Sequence, residues 1–164
     1  SAVKLVMIDF DADLLKAHLE EIGDPGLLNE IVMTGYINNQ DLPTIYSQAM
    51  VFLYPSLRES FGIPILEAMA CGRPVITSNT SSMPEVAGKA ALLVDPFSPQ
   101  EIADAMLRYY QNPSLREAMS LEGLHRAAKF SWDGAAESVL SIYENTAAAT
   151  RQEQITYQSF SSIL

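Results

Sequence analysis

The sequence predicts an α/β fold, a doubly wound parallel sheet that is followed by a helical carboxyl-terminal region. Short apolar, β-rich runs alternate with stretches of helical period between residues 3 and 96. The runs at residues 74–77 and 91–94 are almost wholly apolar, which is typical of parallel strands covered by helices on both faces. After Pro96 the pattern indicates helices alone.

The first half of the chain contains three predicted strands, and each is a short apolar run. They cover residues 3–8, 31–34 and 50–54. An acidic turn at 9–13 precedes a helix that ends at Gly23, and Asp41 is expected to cap a helix over residues 42–49. The positions of the first helix that recur at helical spacing are Leu14, Leu15, Ala17, His18, Leu19 and Ile22.

A central stretch, residues 58–77, is expected to form a loop, a helix over residues 63–71, a turn and a fourth strand. Gly62 permits a tight backbone in the loop, and Gly72 suits the left-handed position after the helix. Pro64 suits the first helical turn, because its missing N–H would be unpaired there. We expect three side chains of this helix to be buried against the neighbouring strands, namely Leu66, Met69 and Ala70.

The remaining elements are one helical turn at 83–88, a fifth strand at 91–94 and three helices. Ser98 is expected to cap the first of these helices, with Pro99 at its first position and Glu101 three residues after the cap. Its inner stripe is predicted to be Ile102, Ala105, Met106 and Tyr109. The second helix covers residues 113–129. The third begins at Ser131 and is expected to turn Ala135, Ala136, Val139, Leu140 and Tyr143 inward. The predicted organisation is one domain over residues 1–149 and a tail over 150–164.

The composition is typical of one globular domain in a reducing compartment. The chain has 164 residues, of which 48% are hydrophobic and 18% charged, enough for one sizeable core. Its formal charge of −10, without a Lys/Arg run, excludes nucleic acid and anionic membranes as expected partners. A single cysteine, no apolar run near the length of a membrane span and no leader predict a cytoplasmic protein without a transmembrane segment.

Two carboxylates mark the candidate site. Between residues 61 and 76 only Glu67 and Arg73 are charged, and a carboxylate in an apolar helix is costly to bury without a partner. Glu59 precedes Glu67 by eight positions, in the loop where a strand's carboxyl end meets a helix N-terminus. Open α/β sheets bind ligands there, and helix N-termini favour anions. The alternative is that Glu67 lies at an exposed edge of the helix.

Other enzyme motifs are absent from the sequence. No Gly-x-Gly-x-x-Gly follows the first strand, and no Walker-type phosphate loop or His-Glu-x-x-His occurs. His18 and His125 are isolated, and Asp9 and Asp11 lie far in sequence from the glutamate loop, so no metal is expected. Two carboxylates could also serve a glycosidase, but their placement in one loop and the helix after it suits ligand binding at two points.

Three separated motifs carry a resemblance to a known family. They are residues 59–76, Glu-Ser-Phe-Gly-Ile-Pro-Ile-Leu-Glu-Ala-Met-Ala-Cys-Gly-Arg-Pro-Val-Ile; residues 78–88 together with 91–96; and residues 130–132, Phe-Ser-Trp. Together they resemble the two-glutamate signature and flanking segments of the group 1 retaining glycosyltransferases of the GT-B fold, over most of residues 30–145. The resemblance implies a Rossmann-like, donor-binding, carboxyl-terminal domain.

The resemblance also implies a role for each site residue. Glu59 would contact the donor sugar as the catalytic glutamate, and Glu67 would hold the ribose of a nucleotide-sugar, since a vicinal diol matches a bidentate acceptor. The N–H groups around Phe61, Gly62 and Ile63 would receive the diphosphate. Tyr36 and Ile37 match the loop against the base, with ordinary strand-end packing as the alternative. No cofactor and no metal are implied.

The same resemblance implies missing parts. The family's domain opens with a strand and helix that carry an Arg and a Lys for the diphosphate, and an amino-terminal domain that binds the acceptor precedes it. The missing strand would be central in the sheet, so the chain must close that gap or borrow a strand. Residues 79–96 resemble mannosyltransferase-like members, which favours a GDP-sugar. The alternative function is a binding or assembly module of the same fold without catalysis.

Overall fold

The computed structural model describes the backbone of residues 3–161 and the side chains of residues 3–149. The strands are β1 (Leu5–Met7), β2 (Ile31–Met33), β3 (Phe52–Tyr54), β4 (Val75–Ser78) and β5 (Ala91–Val94). The helices are α1 (Ala12–Glu21), α2 (Leu42–Gln48), α3 (Ile63–Ala70), α4 (Met83–Ala87), α5 (Pro99–Gln111), α6 (Pro113–Ala127) and α7 (Trp132–Ser161). A short 3-10 helix, Pro25–Glu30, precedes β2. This order confirms the predicted alternation of strands and helices and the helical carboxyl-terminal region.

All strand pairs are parallel, as predicted, but the strands form two sheets. One contains β1 and β2, and the other has the order β3-β4-β5. Among the described residues no ladder joins the two sheets, and the chain divides into compact units at Ser1–Met50 and Val51–Leu164.

In the first unit, α1 packs against the 3-10 helix. Leu15 and Leu19 are the buried side chains of α1, and Asp11 caps this helix by accepting from the backbone N–H groups of Asp13 and Leu14 at 2.8 Å. Asp41 occupies the capping position of α2, but its side chain makes no capping hydrogen bond. The expected cap is therefore wrong in its chemistry, because Asp41 has helical φ and ψ rather than the extended backbone that aims a capping side chain.

Helix α3 forms the centre of the second unit, and its buried face differs from the predicted one. Ile65, Ala68 and Met69 are fully buried, whereas Leu66 is half-buried and Ala70 is exposed. The prediction was therefore correct for Met69 and wrong for Leu66 and Ala70, each of which lies one position after a buried residue. The reason is that α3 packs against α4 and α6 as well as against β3 and β4, so the sheet alone does not set which stripe is buried.

The later helices confirm the predicted cap but correct two apolar stripes. Ser98 accepts a hydrogen bond from the backbone N–H of Glu101, and Ala105 and Tyr109 are buried in α5, but Met106 is exposed. The whole predicted inner stripe of α7 is exposed, because in the described part of the chain no element covers that side of the helix. Helix α7 continues to Ser161, so residues 150–161 of the expected tail are helical.

Candidate functional site

The site is built on residues 55–62, the loop that connects the carboxyl end of β3 to α3. Gly62 ends this loop at the N-cap position with φ of +103°, a backbone conformation that L side chains rarely adopt. A Cβ atom on Gly62 would also lie 3.2 Å from Cδ1 of Ile65. Glycine is therefore required here by both conformation and space, and the sequence predicted the conformational requirement.

The first turn of α3 presents unpaired donors. No side chain caps the helix, and among the described residues the backbone N–H groups of Phe61, Gly62 and Ile63 make no hydrogen bond. Pro64 has no N–H, and the first bond of the turn runs from the N–H of Ile65 to the carbonyl of Gly62 at 3.1 Å. Unpaired donors at a helix N-terminus, where the helix dipole is positive, favour an anion.

The carboxylate of Glu59 is held by two hydroxyl groups. Tyr54 donates to Oε1 at 2.6 Å and Ser56 donates to the same oxygen at 2.9 Å. Within the described residues no group donates to Oε2. Because Tyr54 is the last residue of β3, the strand end fixes the direction of a half-buried carboxylate in the loop that follows it.

Glu67 lies in the middle of α3 and is exposed. Its position, five residues beyond the N-cap Gly62, puts it about 7 Å along the helix axis from the unpaired N–H groups. This exposure confirms the alternative that Glu67 lies at an exposed edge of the helix. Exposure also leaves this carboxylate accessible to a ligand.

Tyr36 and Ile37 follow β2 and belong to the first compact unit, whereas both glutamates belong to the second. Tyr36 is 73% exposed, which does not fit the alternative that it packs at the strand end. Ile37 is half-buried. Their expected contact with a base stays a prediction.

The side chain of Phe61 contacts an aromatic ring that follows α6. Its ring meets the edge of the Phe130 ring with centroids 5.9 Å apart, and the guanidinium of Arg126 lies 4.9 Å from the centroid of Phe130. Arg126 also donates to the backbone carbonyls of Glu85 and Val86 in α4. Phe130, the first residue of the Phe-Ser-Trp motif, thus lies beside the glutamate loop.

Four hydroxyl side chains that hold this loop, those of Tyr54, Ser56, Ser81 and Ser82, are not among the site residues predicted from the sequence. Tyr54 and Ser56 hydrogen-bond to the carboxylate of Glu59. In the structure Ser81 and Ser82 hydrogen-bond to the backbone of Glu59 and Phe61. The signal available in the sequence was the density of hydroxyl residues from the end of β4 onward, Thr77 to Ser82, although turns use the same residues.

Among the described residues, no group of three or more His, Cys, Asp and Glu side chains lies close enough together to hold a metal ion. No described helix is long and apolar enough to cross a membrane.

The chain is similar in sequence to known proteins. The model of the family "Glycosyl transferases group 1" matches residues 1–126. The chain is 44% identical over 110 residues to the O-antigen chain mannosyltransferase B of Escherichia coli. The match covers 67% of this chain and 29% of that protein. The chain therefore spans less than a third of this relative's length.

Solved structures show the same fold. Sucrose-phosphate synthase from Thermosynechococcus elongatus matches 89% of this chain and 39% of its own with a TM-score of 0.77 and 26% identity. HepE from Anabaena, solved in complex with UDP, matches 87% of this chain and 41% of its own with a TM-score of 0.76 and 20% identity.

Proposed function

This chain belongs to the group 1 glycosyl transferase family and has the fold of its GT-B members, and on that basis we propose that it is the donor-binding domain of a retaining glycosyltransferase. The enzyme would transfer a sugar from a nucleotide-diphosphate sugar to an acceptor. The observation that carries the proposal is that one loop holds both an oriented carboxylate, Glu59, and the unpaired N-terminus of α3.

The diphosphate would lie at the N–H groups of Phe61, Gly62 and Ile63. Donors that are fixed before the ligand arrives stabilise a leaving group as its charge grows, since no reorganisation is needed at that moment. The formal charge of −10 gives no general attraction for phosphate, so these local donors and the helix dipole have to supply the binding.

The two glutamates would bind the two ends of the donor. Oε1 of Glu59 is occupied by the two protein hydroxyls, and Oε2 is the oxygen that would accept from a hydroxyl of the transferred sugar. Glu67 would accept from both hydroxyls of the ribose, because a carboxylate can bind a vicinal diol with both oxygens. Tyr36 and Ile37 would lie against the base.

We propose a mannosyl donor with GDP as its carrier. The support is the name of the Escherichia coli relative, a mannosyltransferase that is 44% identical over the matched residues. UDP in the complex of HepE makes the uridine nucleotide the first competitor to test.

Calorimetric titration of GDP, UDP and ADP tests the donor site. We expect saturable binding of GDP that is lost in Glu67→Ala and kept in Glu117→Ala, a matched removal of an exposed glutamate from α6. Tighter binding of UDP or ADP would overturn the guanine assignment alone. No binding of any of the three, even when the preceding segment of the protein is joined to the chain, would overturn the donor site.

An acceptor-binding domain would precede this chain in the whole enzyme, which fits the 29% of the mannosyltransferase that the chain covers. Transfer requires donor and acceptor to be positioned together, so the isolated chain is expected to be inactive. The single cysteine supports a reducing compartment, and we place the enzyme in the cytoplasm.

The second candidate is a nucleotide-sugar-binding or assembly module of the same fold without catalysis. The acidic charge of the chain favours it, because a departing diphosphate normally requires cationic neighbours. The two candidates differ in turnover by the protein in which the preceding acceptor-binding domain is joined to this chain, which we call the joined enzyme. A catalytic domain supports turnover there, and a module does not.

A further inference from the structure

Four side-chain hydroxyl groups of residues 77–82 donate to four backbone carbonyls of residues 54–61, which cover the end of β3 and the loop that contains Glu59. We call this set the hydroxyl ladder. Its bonds are Thr77 to Tyr54 at 2.9 Å, Ser78 to Ser56 at 2.6 Å, Ser81 to Glu59 at 2.8 Å and Ser82 to Phe61 at 2.8 Å. The donors and the acceptors run in the same direction along the chain, so the ladder follows the loop from the end of β3 to the start of α3.

The ladder begins where strand pairing ends. The parallel register of β3 and β4 finishes with Tyr54 opposite Thr77. Beyond that pair the loop has no strand partner within the described residues, and side-chain hydroxyls replace backbone N–H groups as donors. Thr77 and Ser78 are fully buried, and hydrogen bonds away from water are electrostatically stronger than exposed ones.

The protons of the two distal rungs can be assigned without conflict. Each serine hydroxyl has one proton to donate. Ser81 donates to the carbonyl of Glu59 and accepts from the N–H of the same residue at 3.2 Å. Ser82 is 2.8 Å from the carbonyl of Phe61 and 3.1 Å from that of Glu59, so its proton serves the nearer carbonyl of Phe61. Both backbone groups of Glu59 are thereby bound by one side chain.

Ser81 adopts a disfavoured backbone conformation to make these bonds. Its φ is +57°, in the left-handed region that residues other than glycine, asparagine and aspartate seldom occupy. Such conformations persist where the surroundings over-determine them, and they are frequent at ligand sites.

We propose that the hydroxyl ladder is the positioning device of the donor site, and that Ser81 and Ser82 are positioning residues for the backbone of residues 59–63. The inference rests on the proposed function, because it assigns a purpose to the fixed loop. A loop held in its bound geometry binds its ligand more tightly than a mobile one, since less ordering is required on binding.

The test uses two variants of the exposed end of the ladder in the full chain. Ser81→Gly removes the hydroxyl and also relieves the backbone strain, so it is expected to unfold at nearly the parent's denaturant concentration. Ser82→Ala removes the other hydroxyl, and Ser82→Thr should restore it. Ser120→Ala is the matched control, because Ser120 donates to the carbonyl of Gly72 at 2.6 Å, at the opposite end of α3.

Two quantities are measured, namely the hydrogen-exchange rates of the paired N–H groups at the two ends of the loop, those of Glu59 and Ile65, and the affinity for GDP or, if it binds the parent more tightly, UDP. We expect faster exchange and about tenfold weaker nucleotide binding in Ser81→Gly and in Ser82→Ala, the scale of one lost hydrogen bond. Ser82→Thr and Ser120→Ala should match the parent in both.

Unchanged exchange in the two variants would overturn the ladder as the device that holds the loop. Faster exchange with unchanged affinity would overturn its role in positioning for the donor. If the parent binds no nucleotide, the proposed function fails and the donor role fails with it, whereas normal binding by the parent with unchanged exchange in the variants refutes the ladder alone.

Discussion

The phenolic hydroxyl of Tyr54 donates a 2.6 Å hydrogen bond to Oε1 of Glu59. The ring of Tyr54 is also stacked on Phe52, with centroids 5.9 Å apart. The last residue of a sheet strand therefore sets the direction of the carboxylate to which we assign the donor sugar.

Tyr54→Phe keeps the stacked ring and removes the hydroxyl. We expect the turnover number of the joined enzyme to fall by about 10- to 100-fold, because a hydrogen bond to a charged group contributes about 1.5–3 kcal/mol. The nucleotide affinity should change little, since Glu59 is not assigned to the nucleotide. Tyr110→Phe, which alters an exposed tyrosine of α5, is the control. Equal turnover in Tyr54→Phe and the parent would show that Ser56 alone suffices to orient Glu59.

Gly62→Ala should weaken both the fold and the anion site. An alanine at φ of +103° is strained, and its Cβ would lie 3.2 Å from Ile65, so we expect a loss of about 1–3 kcal/mol in the free energy of unfolding. Gly72→Ala, at φ of +67° beyond the other end of α3, is a control for strain. Urea unfolding and GDP titration should show destabilisation in both variants and weaker binding in Gly62→Ala only. Equal nucleotide affinity in the two would argue against anion binding at this N-terminus.

Ile65→Ala and Leu66→Ala distinguish the observed face of α3 from the predicted one. Ile65 is fully buried, and its truncation should cost about 2–5 kcal/mol. Leu66 is half-buried, so its truncation should cost less. Chemical denaturation measures both losses. A larger loss for Leu66→Ala would restore the face expected from the sequence.

Tyr109 should make the stability pH-dependent in alkali. Burial, which the neighbouring Arg108 only partly offsets, raises the pKa of Tyr109 to about 12 from its ordinary value of 10.0. The folded state thus binds this proton more tightly than the unfolded state, and the resulting stabilisation is complete below pH 10 and is lost as the pH rises towards 12. The difference of about two pKa units corresponds to about 2–3 kcal/mol.

Urea unfolding of the parent and of Tyr109→Phe between pH 8 and pH 12 measures this contribution. The phenylalanine variant cannot titrate at this position, so its stability should fall less steeply above pH 10. Tyr110→Phe, with an exposed ring, should follow the parent. Parallel curves for the parent and Tyr109→Phe would show that Tyr109 does not keep its proton by burial.

The sequence predicted the elements well because most of their boundaries have local causes. Gly62 and Gly72 both have positive φ, and Ser98 caps α5. These features depend on one residue and its near neighbours. The buried stripes are set instead by packing between distant segments. A Cβ on Gly123 of α6 would lie 3.2 Å from Cγ of Met69, and such a close approach of two helices decides which side of α3 is covered.

The candidate site was predictable in its backbone and not in its side-chain contacts. The glycine, the proline and the two glutamates occur at motif spacing and were found. The hydrogen bonds of Ser81 and Ser82 join residues 21 to 23 positions apart, and no local pattern indicates them. Their donors are hydroxyl residues after a strand, which the sequence equally assigns to a turn.

The central claim is tested most directly by the turnover of three proteins: the joined enzyme, the joined enzyme with Glu59→Ala, and the isolated chain. The assay is release of the nucleotide with and without acceptor, and Glu117→Ala is the control for removal of an exposed glutamate. We predict no measurable transfer by the isolated chain and activity in the joined enzyme. We also predict a barrier raised by about 2–4 kcal/mol in Glu59→Ala, the scale of a lost transition-state contact. Turnover by the isolated chain at the rate of the joined enzyme, or an unaffected Glu59→Ala enzyme, would contradict the account.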